Sequence, residues 1–135
     1  MKLSIATPKK LAVEMEVEAL TVPTAAGEIT ILPKHAHLLS LLKEGIITIK
    51  SAKEEQFMAI GGGYLETDGK TVHILVSRAY NQDEIDEKST EEALQNAKKI
   101  LSETKDKAER SEASSLLRRS VVNLKLLGKV RRKSK

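Results

Sequence analysis

The segment ILPKHAHLL, residues 31–39, carries His35 and His37 two residues apart. In an extended strand that spacing points both imidazoles to one side, which is how many zinc sites begin. A zinc site needs three or four ligands at fixed spacing, and the one further histidine is His73. His73 sits in TVHIL, where Val72, Ile74 and Val76 claim the core side of a strand and turn it outward. The chain has no cysteine, so thiolate metal sites, disulfides and cysteine nucleophiles are excluded. No metal and no cofactor is expected. GGGYLETDGK, residues 61–70, suggests a phosphate loop only in its glycines, because the lysine that follows a P-loop run is absent and no helix opens after Gly63. Three glycines between strand-like runs point instead to close backbone approach, a bulge or a sharp corner. The carboxylate pairs Asp83/Asp86 and Glu91/Glu92 lie in a charged helical stretch without an apolar pocket to raise a pKa. No nucleophile elbow marks a Ser-His-Asp set. The absence of a convincing active site points to a structural, coupling or regulatory part.

The elements that position these residues change period at about residue 80. Before it, alternating or strand-length apolar runs recur: Leu3 and Ile5; Val17 and Ala19 to Val22; Ile29 and Ile31; Ile47 and Ile49; Met58 and Ile60; Val72, Ile74 and Val76. Turn chemistry separates them, and Asp68-Gly69 is a strong hairpin signal because a tight turn needs positive φ at its centre. This pattern favours an antiparallel sandwich or barrel over residues 1–82. After it, Thr90, Leu94, Ala97, Leu101, Thr104 and Ala108 form one helical stripe, and Ala113, Leu117, Ser120, Leu124 and Leu127 form another. Residues 81–90 supply capping side chains and first-turn carboxylates, and Gly128 is a plausible helix stop. The expectation is an α-helical hairpin over residues 83–135, turning near residues 102–107. No glycine or proline enforces that turn, so one long bent helix is the alternative. The fold class is therefore β followed by α.

At 135 residues the chain holds one ordinary domain, or a small one with an appendage. No apolar run approaches the roughly 18 residues of a membrane span, and the N-terminus lacks a signal-peptide pattern. A soluble protein, or one peripheral to something larger, is expected. The net charge of +4 is unevenly spread. Residues 1–80 carry 9 basic and 9 acidic side chains, residues 81–112 carry 6 and 10, and residues 113–135 carry 8 and none. A basic tail raises nucleic-acid binding as an alternative, but Phe57, Tyr64 and Tyr80 are the only aromatics and none lies in that tail. A small enzyme without a recognisable motif is the third reading.

Three segments in order carry a resemblance: VPTAAGEITILPKHAHLLSLLKEGIITI, then AIGGGYLETDGKTVHILV, then the charged helical hairpin. In this order and spacing the chain resembles the epsilon subunit of the bacterial F-type rotary ATP synthase over essentially its whole length. The run Gly27-Glu28 through Pro33, His35 and Leu39 corresponds to the family's pattern GE-x-G-x-x-PGHAPLL. Gly62-Gly63-Tyr64-Leu65-Glu66 corresponds to its later GG-x-L-E. The resemblance implies an N-terminal β-sandwich and a C-terminal helical hairpin. It also implies a non-catalytic central-stalk subunit that binds the gamma subunit and the c-ring, and so couples proton flow to ATP synthesis. The place implied is peripheral, on the cytoplasmic face of the bacterial plasma membrane, with membrane association only through the complex and no nucleic-acid partner. Glu28, Pro33, His35 and Leu39 are the implied contacts with the ring and stalk. The hairpin is implied to inhibit ATP hydrolysis when it extends into the alpha/beta hexamer, with Arg118, Arg119, Lys125 and Lys129 facing acidic surface.

The departures from the pattern carry their own expectations. Ile85 and Asp86 match the start of a nucleotide-binding pattern found in some bacterial relatives, but Ser89 and Thr90 stand where its arginine and alanine would be. Losing that arginine removes a charge-assisted phosphate contact of about 1.5–3 kcal/mol, so only a vestige of that site is expected and ATP binding should be weak or absent. Lys34 replaces a glycine and offers no cheap positive φ, so the loop is expected to turn less sharply. His37 stands where a proline is usual, and nothing in the sequence explains it.

Overall fold

The computed structural model describes residues 1–34 and 37–134. The chain divides into two units, Met1–Asn81 and Gln82–Lys135. The first contains ten strands: β1 (Lys2–Ala6), β2 (Leu11–Glu16), β3 (Ala19–Thr24), β4 (Gly27–Ile31), β5 (Leu38–Leu42), β6 (Gly45–Lys50), β7 (Glu55–Ile60), β8 (Gly63–Thr67), β9 (Thr71–Val76) and β10 (Ala79–Tyr80). Their hydrogen-bonded order is β10-β7-β6-β3-β5-β8-β9-β1-β2, with β4 added alongside β3. Neighbours run antiparallel except β1 and β9, which run parallel; this departs from a purely antiparallel arrangement. The sheet turns a corner at β3, whose start pairs with β6 while Thr24 pairs with Leu42 of β5. The corner lets one sheet fold over its own core as a sandwich. Leu3, Ile5, Leu20, Ile47, Ile49, Leu65 and Ile74 alternate inward and are almost completely buried. Each such side chain contributes roughly 1.5–3 kcal/mol of burial.

Turns and glycines fix the register. Asp68 accepts hydrogen bonds from the N–H groups of Lys70 at 2.9 Å and Thr71 at 2.8 Å, while Gly69 takes φ 91. These bonds hold the Asp68 carboxyl at a pKa of about 2, below its ordinary value. At Gly63 a Cβ would lie 2.0 Å from the Leu75 carbonyl oxygen, so β8 and β9 approach there as only glycine allows. Lys34 corrects the expectation of a blunter loop: it takes φ 67, in the left-handed region, and its N–H donates to the Gly69 carbonyl at 3.0 Å. That bond to the β8–β9 turn offsets a conformation that costs a non-glycine residue about 1–2 kcal/mol.

The second unit opens with a 3-10 turn at Gln82–Glu84 and continues as α1 (Glu87–Glu103) and α2 (Lys107–Ser134). Asp86 caps α1, accepting from the Ser89 N–H at 3.2 Å and from the Ser89 hydroxyl. The two helices fold back on each other as a hairpin, with the reversal at residues 104–106, and not as one long helix. Ala97, Ala113 and Ser120 are buried and Leu94, Leu101, Leu117, Leu124 and Leu127 are half-buried, but Ala108 at the end of the first stripe is exposed and the completely buried Leu126 lies off the second. Gly128 does not end the second helix. It lies inside α2, which continues to Ser134. The helix carries an interior glycine at a cost of about 1 kcal/mol relative to alanine.

Candidate docking site

Strands β5, β8, β9, β1 and β2 turn one face to the core and the other to water. On the water face their register aligns a continuous row. Leu41 pairs with Tyr64, Tyr64 with Leu75, Leu75 with Ala6, and Ala6 with Leu11. Apart from the half-buried Ala6, these side chains are large and exposed: Leu41 77%, Tyr64 41%, Leu75 40% and Leu11 55%. Four inter-strand spacings make the row about 19 Å long. The next row, one pleat along, holds Leu39, Glu66, His73 and Ser4, and Leu39 is 72% exposed. Scattered exposed leucines are ordinary. A contiguous apolar row rimmed by polar groups marks a protein–protein contact face. Sequence reasoning missed this row, because LLSLL offers leucines on both faces of a strand and no alternation says which side is wet.

The residues implied as ring and stalk contacts fall around this face. Glu28 is exposed near the start of β4, opposite Pro23, and Thr24 beside it pairs with Leu42. Pro33 is exposed beyond the other end of β4, next to Lys34, which bonds the β8–β9 turn; Leu38 pairs with Thr67 of the same hairpin. Glu28 and Pro33 therefore lie at opposite ends of β5. Leu39 lies on the exposed face itself, and His35 lies outside the described residues. His37 is exposed just before β5, and His73 is exposed opposite Glu66.

On α2, Arg118, Lys125, Lys129 and Arg132 fall within about 60° of one another at 100° per residue, on the side away from the stripe that meets α1. Arg119 stands one step aside. Arg118, Arg119 and Lys125 are exposed, Lys129 is half-buried, and Arg118 donates to Ser115 Oγ at 3.2 Å. The structure does not gather the vestigial nucleotide residues. Ile85 is half-buried and the carboxylate of Asp86 is engaged by Ser89, whose hydrogen bonds lower its pKa. The neighbouring Glu87 meets Arg131, thirteen residues beyond Arg118 and so about 20 Å further along the helix. An open groove between the helices is lined by Ile100, Glu109, Glu112, Ala113 and Leu116. Its two carboxylates disfavour a phosphate. Among the described residues no three His, Asp or Glu groups gather where a metal ion could sit, and no helix is long and apolar enough to cross a membrane.

A sandwich with an exposed docking row and a helical hairpin after it defines a β-plus-α subunit of a larger assembly. The family model described as ATP synthase, Delta/Epsilon chain, beta-sandwich domain matches residues 1–82. The chain is 36% identical to the ATP synthase epsilon chain of Syntrophobacter fumaroxidans, over 96% of both chains. It is 34% identical to that of Geotalea uraniireducens, covering 98% of this chain and 97% of the relative. A chloroplastic ATP synthase epsilon chain, from Adiantum capillus-veneris, is 32% identical over 92% of this chain and 94% of its own. Among solved structures, a chain in the cryo-EM structure of the Euglena gracilis mitochondrial ATP synthase, OSCP/F1/c-ring in rotational state 1, superposes with a TM-score of 0.79. It is 25% identical, with 91% of this chain and 78% of that one covered. The chain belongs to the ATP synthase delta/epsilon chain family.

Proposed function

We propose that this chain is a non-catalytic rotor subunit of a proton-translocating F-type ATP synthase, linking the gamma subunit to the c-ring. The observation that carries this reading is the exposed row Leu41, Tyr64, Leu75 and Leu11, a face built to be covered. Gamma covers that row, and Glu28 with Pro33, His35 and Leu39 meets the polar loops of the ring. Torque from the ring then passes through the rigid sandwich to gamma and on to the alpha/beta hexamer, where the chemistry occurs. Membrane association is indirect, on the cytoplasmic face of the bacterial plasma membrane. The chain needs no cofactor, and ATP binding by the hairpin is weak or absent because Ser89 occupies Asp86.

The helical unit serves as a brake on hydrolysis. In its extended form the basic stripe of Arg118, Lys125 and Lys129, with Arg119 beside it, meets acidic surface on the beta subunits, and those contacts weaken as ionic strength rises. The units at residues 1–82 and 83–135 act as separate domains. Truncation from Asp86 onward is expected to leave the sandwich folded and to raise ATP hydrolysis by the reconstituted complex. Unchanged or lower hydrolysis would count against the brake.

A further inference from the structure

Lys34, between β4 and β5, takes φ 67, in the left-handed region that glycine enters freely and a residue with a Cβ enters at a cost. Its N–H bond to the Gly69 carbonyl, at 3.0 Å, holds the backbone there, yet a glycine at 34 would donate the same bond. The bond therefore explains the conformation and not the lysine. Packing does not explain it either, because Lys34 is exposed. What lysine adds is a cation on a fixed piece of backbone. A residue held in such a conformation points to a task for its side chain.

The bond to Gly69 also sets Lys34 beside the β8–β9 turn, where Lys70 follows and is exposed as well. That turn is tied down on both sides. Asp68 Oδ1 accepts from the N–H groups of Lys70 and Thr71 and from the Thr71 hydroxyl at 3.2 Å, and the Lys2 N–H donates to the Lys70 carbonyl at 2.9 Å. The Asp68 carboxylate is thus committed to the turn's own donors. Among the described residues, neither the Lys34 nor the Lys70 ammonium forms an ion pair, whereas Lys2 is paired with Glu14 at 3.5 Å. Two like charges on adjoining fixed turns raise the local potential, and an anion that settles against them lowers it. The corner they share is the end of the sandwich that carries Pro33. Two cations fixed on backbone make a point contact, whereas an anionic lipid surface is gripped by clusters of about four to eight lysines or arginines.

We propose that Lys34, with Lys70 beside it, is a specificity contact of this chain for its own ring, and that it takes a carboxylate on the ring's polar loops. This rests on the reading of the chain as a rotor subunit and deepens it by naming the charge the ring must present. The test titrates the full chain into c-ring purified from its own cell in neutral detergent, with calorimetry reading Kd at low and at high salt. K34Q should bind about three- to tenfold more weakly at low salt, K34R should bind like the unsubstituted chain, and the gap should close at high salt. Amidating the ring's exposed carboxylates should weaken the unsubstituted chain to the level of K34Q. K34G should bind as weakly as K34Q while its urea midpoint is no lower than that of the unsubstituted chain, because glycine relieves the positive φ. Ring binding that is indifferent to K34Q or to amidation overturns the contact and leaves the rotor reading standing. A less stable K34G overturns it too, since the lysine would then serve the fold. So does a loss on K34Q that appears with vesicles of anionic phospholipid and not with the ring. A chain that does not bind the ring at all sinks the rotor reading and this contact together.

Discussion

Replacing Leu41 and Leu75 together by alanine should break assembly without harming the fold. Burying a leucine side chain completely is worth roughly 1.5–3 kcal/mol. Leu41 is still 77% exposed in the chain alone and Leu75 40%, so a covering partner gains about those fractions of the full value. Allowing for the methyl that alanine keeps, the pair loses about 1.5–3 kcal/mol of binding, a Kd about 10- to 150-fold weaker. Leu41 contributes little to the fold, while Leu75, already more than half covered in the chain alone, gives up about 1 kcal/mol of folding stability on truncation, too little to unfold the sandwich. The assay is calorimetric titration of the double variant into ATP synthase depleted of this chain, with urea unfolding of the free variant beside it. A Kd within twofold of the unsubstituted chain, in a variant that is folded, would refute the reasoning, because the row would then not be the covered face.

Gly63→Ala should destabilise the sandwich by about 3 kcal/mol, the upper part of the usual range for overpacking, because the added carbon meets the Leu75 carbonyl and the Val76 Cα of the next strand. An unchanged urea midpoint would contradict that close approach. The Asp68 carboxyl, lowered to about 2 by its turn bonds, predicts acid sensitivity of definite sign. Its stabilisation is complete above the unfolded carboxyl's pKa of about 3.9 and is lost as the pH falls through about 2. Stability should thus drop more steeply between pH 4 and 2 in the unsubstituted chain than in D68N, whose side chain still accepts the turn bonds. Equal slopes in denaturant titrations across that window would refute this.

The parts of the fold that follow from local chemistry were legible in the sequence. Asp68-Gly69 marked its hairpin because positive φ there has few alternatives, and the four- and three-residue steps from Thr90 and from Ala113 marked two helices that do pack on each other. What the sequence withheld depends on the partner across the sheet. LAVEME and LLSLL become β2 and β5 only once β1 and β8 lie beside them, and the parallel pairing of β1 with β9 joins segments nearly seventy residues apart. The docking row has the same origin: it is a property of register across five strands, invisible in any one of them. Lys34 and Gly128 ran against their intrinsic preferences because a bond to Gly69 holds the one and a long helix absorbs the other. At the turn of the hairpin no glycine or proline marks the reversal, and the bonds found there, among them those from Arg110 to the Leu101 and Thr104 carbonyls, join residues that no local pattern connects.

The most direct test of the rotor assignment is recovery of the affinity-tagged full chain from gently solubilised membranes of its own cell, with the co-purifying proteins identified by mass spectrometry. The account predicts that the gamma and c subunits of ATP synthase come with it in constant proportion, and that both are lost when Leu41 and Leu75 are replaced by glutamate. Recovery of the unsubstituted chain without gamma and c would contradict it.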